Sequence, residues 1–166
     1  MKIREFNEDY SEITRPTRNN NVFRNGDGSG NNYNKAPNTI ERALAMEPVK
    51  KGDIVLINMG DDTEHCKMVG SRPAIVCGRF IPDCPVILVI PMTQSFRQID
   101  RPEHIFIDKN DCENLRESGM AMCEQLCSAD RTQVIKKIAA ITDKRLIEKL
   151  NIALIYQLEL RDVRSE

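Results

Sequence analysis

Short apolar runs separated by turn formers begin at Val49 and continue to the end of the chain's middle third and beyond. Asp53–Ile57 (DIVLI) is rich in β-branched residues and follows the Lys51-Gly52 turn signal. Ala74–Cys77 (AIVC) is a second run. Val86–Ile90 (VILVI) is continuously apolar and closed by Pro91, as a central strand would be. His104–Ile107, Met120–Cys127 and Val134–Ile138 complete six predicted strands. In the fifth, alternation puts Met120, Met122 and Leu126 on one face, and Glu124 falls on that face too. A simple core strand would not hold a carboxylate there. After Thr142 the period becomes helical: Leu146, Ile147, Leu150, Ala153, Leu154 and Leu158 share one face, with Thr142 or Asp143 as N-cap. Many short strands followed by one helix predict a mainly β fold, a compact barrel with a helix packed on it.

The first part of the chain lacks this pattern. Asn19-Asn20-Asn21 and the run NGDGSGNNYN from Asn25 to Asn34 are rich in turn formers and poor in apolar groups. Such a segment cannot bury enough surface to offset its ordering entropy. Residues 1–38 are therefore expected to be a flexible, low-complexity tail, and 39–48 a short helix or linker. Thr39 is the expected N-cap, with Arg42 where a capping-box acid would stand. Basic and acidic residues are equal in number before residue 48, so this is no polybasic arm. The expected domain is 49–160, with a short tail at 161–166.

At 166 residues the chain suits one domain with a buried core. Its net charge of −1 supplies no global basic field, so a nucleic-acid site would have to be a local patch. The start, MKIREFNEDYSEI, does not read as an export signal, and no apolar run reaches membrane-spanning length; a cytoplasmic protein is expected. In that reducing setting the six cysteines read as small buried hydrophobes. None forms a CxxC, and Cys123 and Cys127 stand four apart with no His nearby, so no metal or other cofactor is expected. Phosphate-loop, HExxH and nucleophile-elbow motifs do not occur.

Five segments, in order and in register, resemble the MazF/PemK (Kid-like) family of type II toxins. They are Lys51-Gly52-Asp53-Ile54-Val55, then Gly70-Ser71-Arg72-Pro73-Ala74-Ile75-Val76, then Val89-Ile90-Pro91-Met92-Thr93. Pro102–Asp108 (PEHIFID) and Glu117–Leu126 (ESGMAMCEQL) follow, and the final helix through Leu160 also fits. The resemblance implies an SH3-like small β-barrel of the CcdB/PemK type with a C-terminal helix. It implies a homodimer with an RNA groove across its interface, a cognate antitoxin that blocks the groove, and metal-independent endoribonuclease activity. Single-stranded RNA would be cut by its own 2′-hydroxyl, leaving a 2′,3′-cyclic phosphate and a 5′-hydroxyl.

The same resemblance assigns roles. Arg72, on a loop end stiffened by Pro73, would grip the scissile phosphate; a solvated surface Arg beside a rigid turn is the plainer reading. Thr93 would supply the catalytic hydroxyl, against a turn residue satisfying a local backbone group. Glu124 would take the 2′-proton, or is a structural acid at the barrel rim. Ser95, Phe96, Arg97, Arg101 and Gln125 are candidate RNA-binding residues, with Phe96 as a stacking surface beside a cation; Arg79 is a further cation. Two departures stand out. Met122 replaces the Arg of the Kid-type pattern, and the loop Asp61–Met68 lacks the family's G-x-E-Q-G-G string. Only His65 and His104 are available for a histidine-pair mechanism, and His104 reads as a satisfied, partly buried residue. Two rivals remain: a non-catalytic RNA-binding or regulatory barrel, and a CcdB-like gyrase-binding toxin. The second is disfavoured because the chain has no Trp.

Overall fold

The computed structural model describes residues 38–61 and 66–160. The tail expected at the N-terminus, the loop residues around His65 and the tail at 161–166 lie outside the described residues. The elements, in order, are α1 (Thr39–Leu44), β1 (Asp53–Asn58), β2 (Ser71–Val76), β3 (Val86–Thr93), β4 (His104–Ile107), β5 (Cys112–Glu113), β6 (Gly119–Met122), β7 (Cys127–Asp130), β8 (Val134–Ile141) and α2 (Lys144–Gln157). One antiparallel sheet runs β4-β6-β3-β2-β1-β8-β5, and β7 pairs with the first half of β3. The fold is mainly β: a curled sheet forming a half-barrel, with the C-terminal helix packed on it, as expected.

Both faces of the sheet are covered. On one, Ile54, Ile75, Ile90, Ile107 and Ala121 pack against Leu146, Leu150 and Ala153 of α2. On the other, Val55, Ile57, Ala74, Val76 and Val89 pack with Val49, Ala129 and Val134. Alternation along β1 and β2 explains the division, since neighbouring residues point to opposite faces. Gly52 immediately precedes β1 with φ +91°, a left-handed conformation that glycine adopts without strain. Its N–H donates to the Val76 carbonyl at 2.9 Å and its carbonyl accepts from Ile141 N–H at 2.9 Å.

Several expectations are corrected. The N-cap of α1 is Asn38, and the capping box is complete with Glu41, because the helix begins one residue earlier than the Thr39 reading requires. The run Met120–Cys127 is not one strand: β6 ends at Met122, Cys123–Gln125 forms a 3-10 turn, and β7 begins at Cys127. Glu124 therefore does not share a strand face with the methionines. Pro91 does not close β3, which continues to Thr93. Ile90 and Pro91 fall between the residues that β7 and β6 pair on that edge, so the missing N–H breaks no ladder there. Of the two cap candidates for α2, Asp143 is the one used. Leu158 is its exposed C-cap rather than a core residue.

Arg131 was not anticipated. It is buried, donates from Nη2 to the Met46 carbonyl at 2.9 Å, and lies 5.5 Å from the Phe80 ring centre. It thus ties the segment after α1 to the loop before β3. Among the described residues, no helix is long and apolar enough to cross a membrane. Leu150 is 3% exposed at the centre of the helix-facing core. Leu150→Ala should cost about 2–5 kcal/mol, read as a lowered denaturation midpoint in urea with an unchanged slope.

Candidate functional site

Two prolines open the smaller of two clefts. The β2–β3 ladder runs Val76↔Val89, Ile75↔Ile90 and Ala74↔Pro91, and stops there. Beyond it, Pro73 and Arg72 stay paired to Leu56 and Ile57 of β1, while Met92 and Thr93 pair with Ala121 and Met120 of β6. The strands part, and Arg72, Pro73, Met92 and Thr93 line a cleft of about 340 Å³ with Gln94, Leu115, Glu117, Ser118 and Gly119. Arg72 and Thr93, the two residues singled out for phosphate chemistry, are brought together here.

Both side chains are already oriented. Arg72 Nε donates to the Val69 carbonyl at 2.8 Å, and Nη2 donates to the same oxygen. Of the five N–H donors of a guanidinium, three are left for an anion among the described residues. Thr93 Oγ1 accepts the Ser95 N–H at 3.1 Å. That is the local backbone bond expected of a turn residue, and it leaves the hydroxyl proton available to donate elsewhere. Gln94 Nε2 bonds the Glu117 carboxylate across the mouth, and Ser118 Oγ accepts the Lys109 N–H at 3.0 Å. Gln94 and Glu117 had not been singled out; the strand positions flanking Thr93 and Gly119 were the available signal.

Glu124 stands in the second cleft, about 740 Å³, with Gln125, Lys67, Met68, Val69 and Cys127 among its walls. Val69 thus borders the larger cleft while its carbonyl holds Arg72 of the smaller one. Glu124 Oε1 lies 3.1 Å from His104 Nε2. Gln125 Oε1 accepts the Met68 N–H at 3.4 Å, joining the 3-10 turn to the loop before Arg72.

The remaining candidates are more dispersed. Ser95 and Arg97 are exposed on the loop after β3. Phe96 packs on Phe106 with ring centres 5.7 Å apart, and both rings stay half-exposed. Arg101 is engaged: Nη2 pairs with Glu103, and Nη1 donates to Gln98 Oε1 at 3.3 Å. Glu103's carboxyl is held below the usual carboxylate range by its own backbone N–H and then by Arg101, with burial opposing them. Arg79 lies exposed on the loop before β3 and lines neither cleft.

All six cysteines are unpaired. Burial pushes the Cys77 thiol up to about 11 and Cys123 up to about 12, so neither is a thiolate near neutral pH. Cys66 is exposed at the rim of the larger cleft. Iodoacetamide at pH 8 should label Cys66 while leaving Cys77 and Cys123 unmodified until the protein is unfolded, as peptide mass mapping would show.

A family model described as PemK-like, MazF-like toxin of type II toxin-antitoxin system matches residues 50–158. No curated protein matches the chain. Among solved structures, MazF from Deinococcus radiodurans aligns with a TM-score of 0.57 at 16% identity, covering 69% of this chain and 100% of that one. An endoribonuclease from a mycobacterial species aligns with a TM-score of 0.55 at 12% identity, covering 70% of this chain and 96% of that one. A mycobacterial endoribonuclease in complex with its cognate antitoxin aligns with a TM-score of 0.55 at 13% identity, over 68% of this chain and 97% of that one. At such identities these likenesses show a common fold, while the family match spans well over half of the chain. The chain belongs to the PemK-like, MazF-like family of toxins of type II toxin-antitoxin systems.

Proposed function

We propose that the protein is an endoribonuclease that cuts single-stranded RNA without a metal ion, as the toxin of a toxin-antitoxin pair. The observation that carries this reading is the meeting of Arg72 and Thr93 at the cleft opened by Pro73 and Pro91. The scissile phosphate would sit there. Arg72 offers its remaining guanidinium donors to the non-bridging oxygens, where charge builds in the transition state. Thr93 donates its hydroxyl proton to one of the same oxygens.

The nucleophile is the RNA's own 2′-hydroxyl. Its oxygen bonds to phosphorus, its proton passes to a base, and the P–O5′ bond breaks. The departing O5′ takes up a proton, leaving a 2′,3′-cyclic phosphate and a 5′-hydroxyl. Because the attacking group belongs to the substrate, DNA resists cleavage. Glu124 is the proposed base. Its cleft lies across the Val69 wall from Arg72, so a strand crossing that wall would meet both. Gln125, in the wall of the larger cleft, and Ser95, Phe96 and Arg97, on the exposed loop after β3, are proposed RNA contacts. Arg101 contributes through Glu103 rather than as an unengaged cation.

Family membership and the relatives named above support the rest of the reading. Two relatives are endoribonucleases by name, one of them solved with its cognate antitoxin. A protein antitoxin, a homodimer and a cytoplasmic setting are proposed here on the same ground.

The test is cleavage of a long single-stranded RNA by the purified chain in EDTA. The parent should cut, and its 5′ ends should accept phosphate from polynucleotide kinase without prior dephosphorylation. Arg72→Ala should lose about a hundredfold or more, in line with removal of a transition-state donor. Thr93→Val should lose activity and Thr93→Ser should retain most of it. An Arg72→Ala protein that cuts as fast as the parent would sink the assignment.

A further inference from the structure

His104 is the one described histidine and the mechanism above leaves it unused. Its side chain is 2% exposed, and both ring nitrogens have partners. Nδ1 lies 2.7 Å from the Gln98 carbonyl. A carbonyl oxygen only accepts, so Nδ1 must carry a proton. Gln98 has φ +56°, a conformation unusual for a residue with a side chain, and its carbonyl also accepts the Arg101 N–H at 3.2 Å. The loop between β3 and β4 is thus bent to hold that carbonyl against the ring.

With Nδ1 assigned as donor, the other contact is constrained. Nε2 stands 3.1 Å from Glu124 Oε1. A bare Nε2 facing a bare carboxylate oxygen would place two lone pairs in contact. One proton must lie between them, either on the ring opposite a carboxylate or on the carboxyl opposite a neutral ring. The second carboxyl oxygen, Oε2, is buried and has no hydrogen-bond partner among the described residues. The Glu124 side chain as a whole is 20% exposed and lines the larger cleft. The 3-10 turn that carries Glu124 is fastened to β4 from the other side, by Cys123 N–H donating to the Glu103 carbonyl at 3.0 Å.

We infer that His104 is the positioning residue of Glu124: the two share one proton through Nε2 and Oε1, which locks the carboxyl in place at the wall of the larger cleft. This rests on the proposed ribonuclease reading for the role of Glu124 as base. The proton-sharing pair itself stands on the His104 geometry alone. Among the described residues, Glu103, Arg101, Lys67 and the Cys66, Cys123 and Cys127 thiols are the other ionisable groups around the pair. Glu103 is paired with Arg101, and the ring's hydrogen bonds go to Gln98 and Glu124 instead.

Two measurements on the full chain test this separately. The first is NMR of protein labelled with 15N at histidine and 13C at the glutamate carboxyls, at pH 7. The expected result is either a doubly protonated His104 ring opposite an ionised Glu124 or a neutral ring opposite a protonated Glu124. A neutral ring opposite an ionised carboxylate overturns the inference. The second is RNA cleavage. His104→Leu should lower kcat about tenfold or more with KM within about twofold, because the base is misplaced rather than the substrate lost. His104→Gln, whose amide can donate to Oε1, should recover most of that loss. In a Glu124→Gln background, His104→Leu should change the rate by less than about twofold, since a residue acting through another is silent once its target is gone. Equal losses for Leu and Gln, or an undiminished loss in the Glu124→Gln background, mean that His104 merely packs the core and overturn the positioning role. A parent that leaves RNA intact refutes the ribonuclease reading and the positioning role with it, while the NMR result still decides the proton-sharing pair.

Discussion

Pro91, within the one described strand that pairs with three others, sets the terms for the rest of the structure. β3 pairs with β2 on one edge and with β7 and then β6 on the other. Proline has no N–H to give a ladder, so a central strand tolerates it only where a neighbour is missing. Here the outer edge changes partners: β7 leaves at Val89 and β6 joins at Met92. Pro91 fills the interval. On the inner edge the ladder with β2 ends at the same residue, and Pro73 follows immediately on the partner strand. One short stretch of chain therefore ends two pairings and leaves a cleft between the strand ends.

The handover on the outer edge has its own consequence. Between β6 and β7 the chain must cross from one pairing to the next, and it does so through the 3-10 turn Cys123–Gln125. That turn lifts Glu124 off the sheet and sets it against His104, while Gln125 reaches the loop before Arg72. The two clefts are consequently built from the same event. They are linked through Val69, which lines the larger cleft while its carbonyl is gripped by Arg72 of the smaller one. Polar groups in both already have hydrogen-bond partners, which is how a site stays oriented before a ligand arrives.

The packing explains why these strand ends can diverge without loosening the fold. Apolar residues cover both faces of the sheet further along the strands, with α2 closing one face and the Val49 segment the other. Arg131 fastens that segment through the Met46 carbonyl. The clefts lie at the margins of these cores, where Arg72 and Glu124 remain partly exposed while Ile75 and Ile90, the pair next to the ladder's end, are sealed.

Local pattern was enough to find most of the strands and the closing helix, though not the two-residue β5, because alternation and helical spacing are imposed by burial on one face and are written in consecutive residues. The positions of Arg72 and Thr93 near strand ends were also legible, since Arg72 adjoins Pro73 and Thr93 lies two residues after Pro91, and a proline's backbone constraint is intrinsic. What pattern could not reveal depended on partners distant in the chain. Alternation alone carried a strand through Cys123–Gln125, because nothing in MAMCEQLC records that β3 exchanges one neighbour for another there. Pro91 read as a stop for the same reason: its tolerance is a property of the adjacent strand edge. Arg131 and His104 read as ordinary residues because their partners, Met46 and Glu124, are remote in sequence. The sequence by itself determined most of the elements, the acidic cap of the closing helix and the family's residue types. Only the tertiary structure decided which of those residues share a cleft, because strand pairing, not spacing along the chain, sets the distances between them.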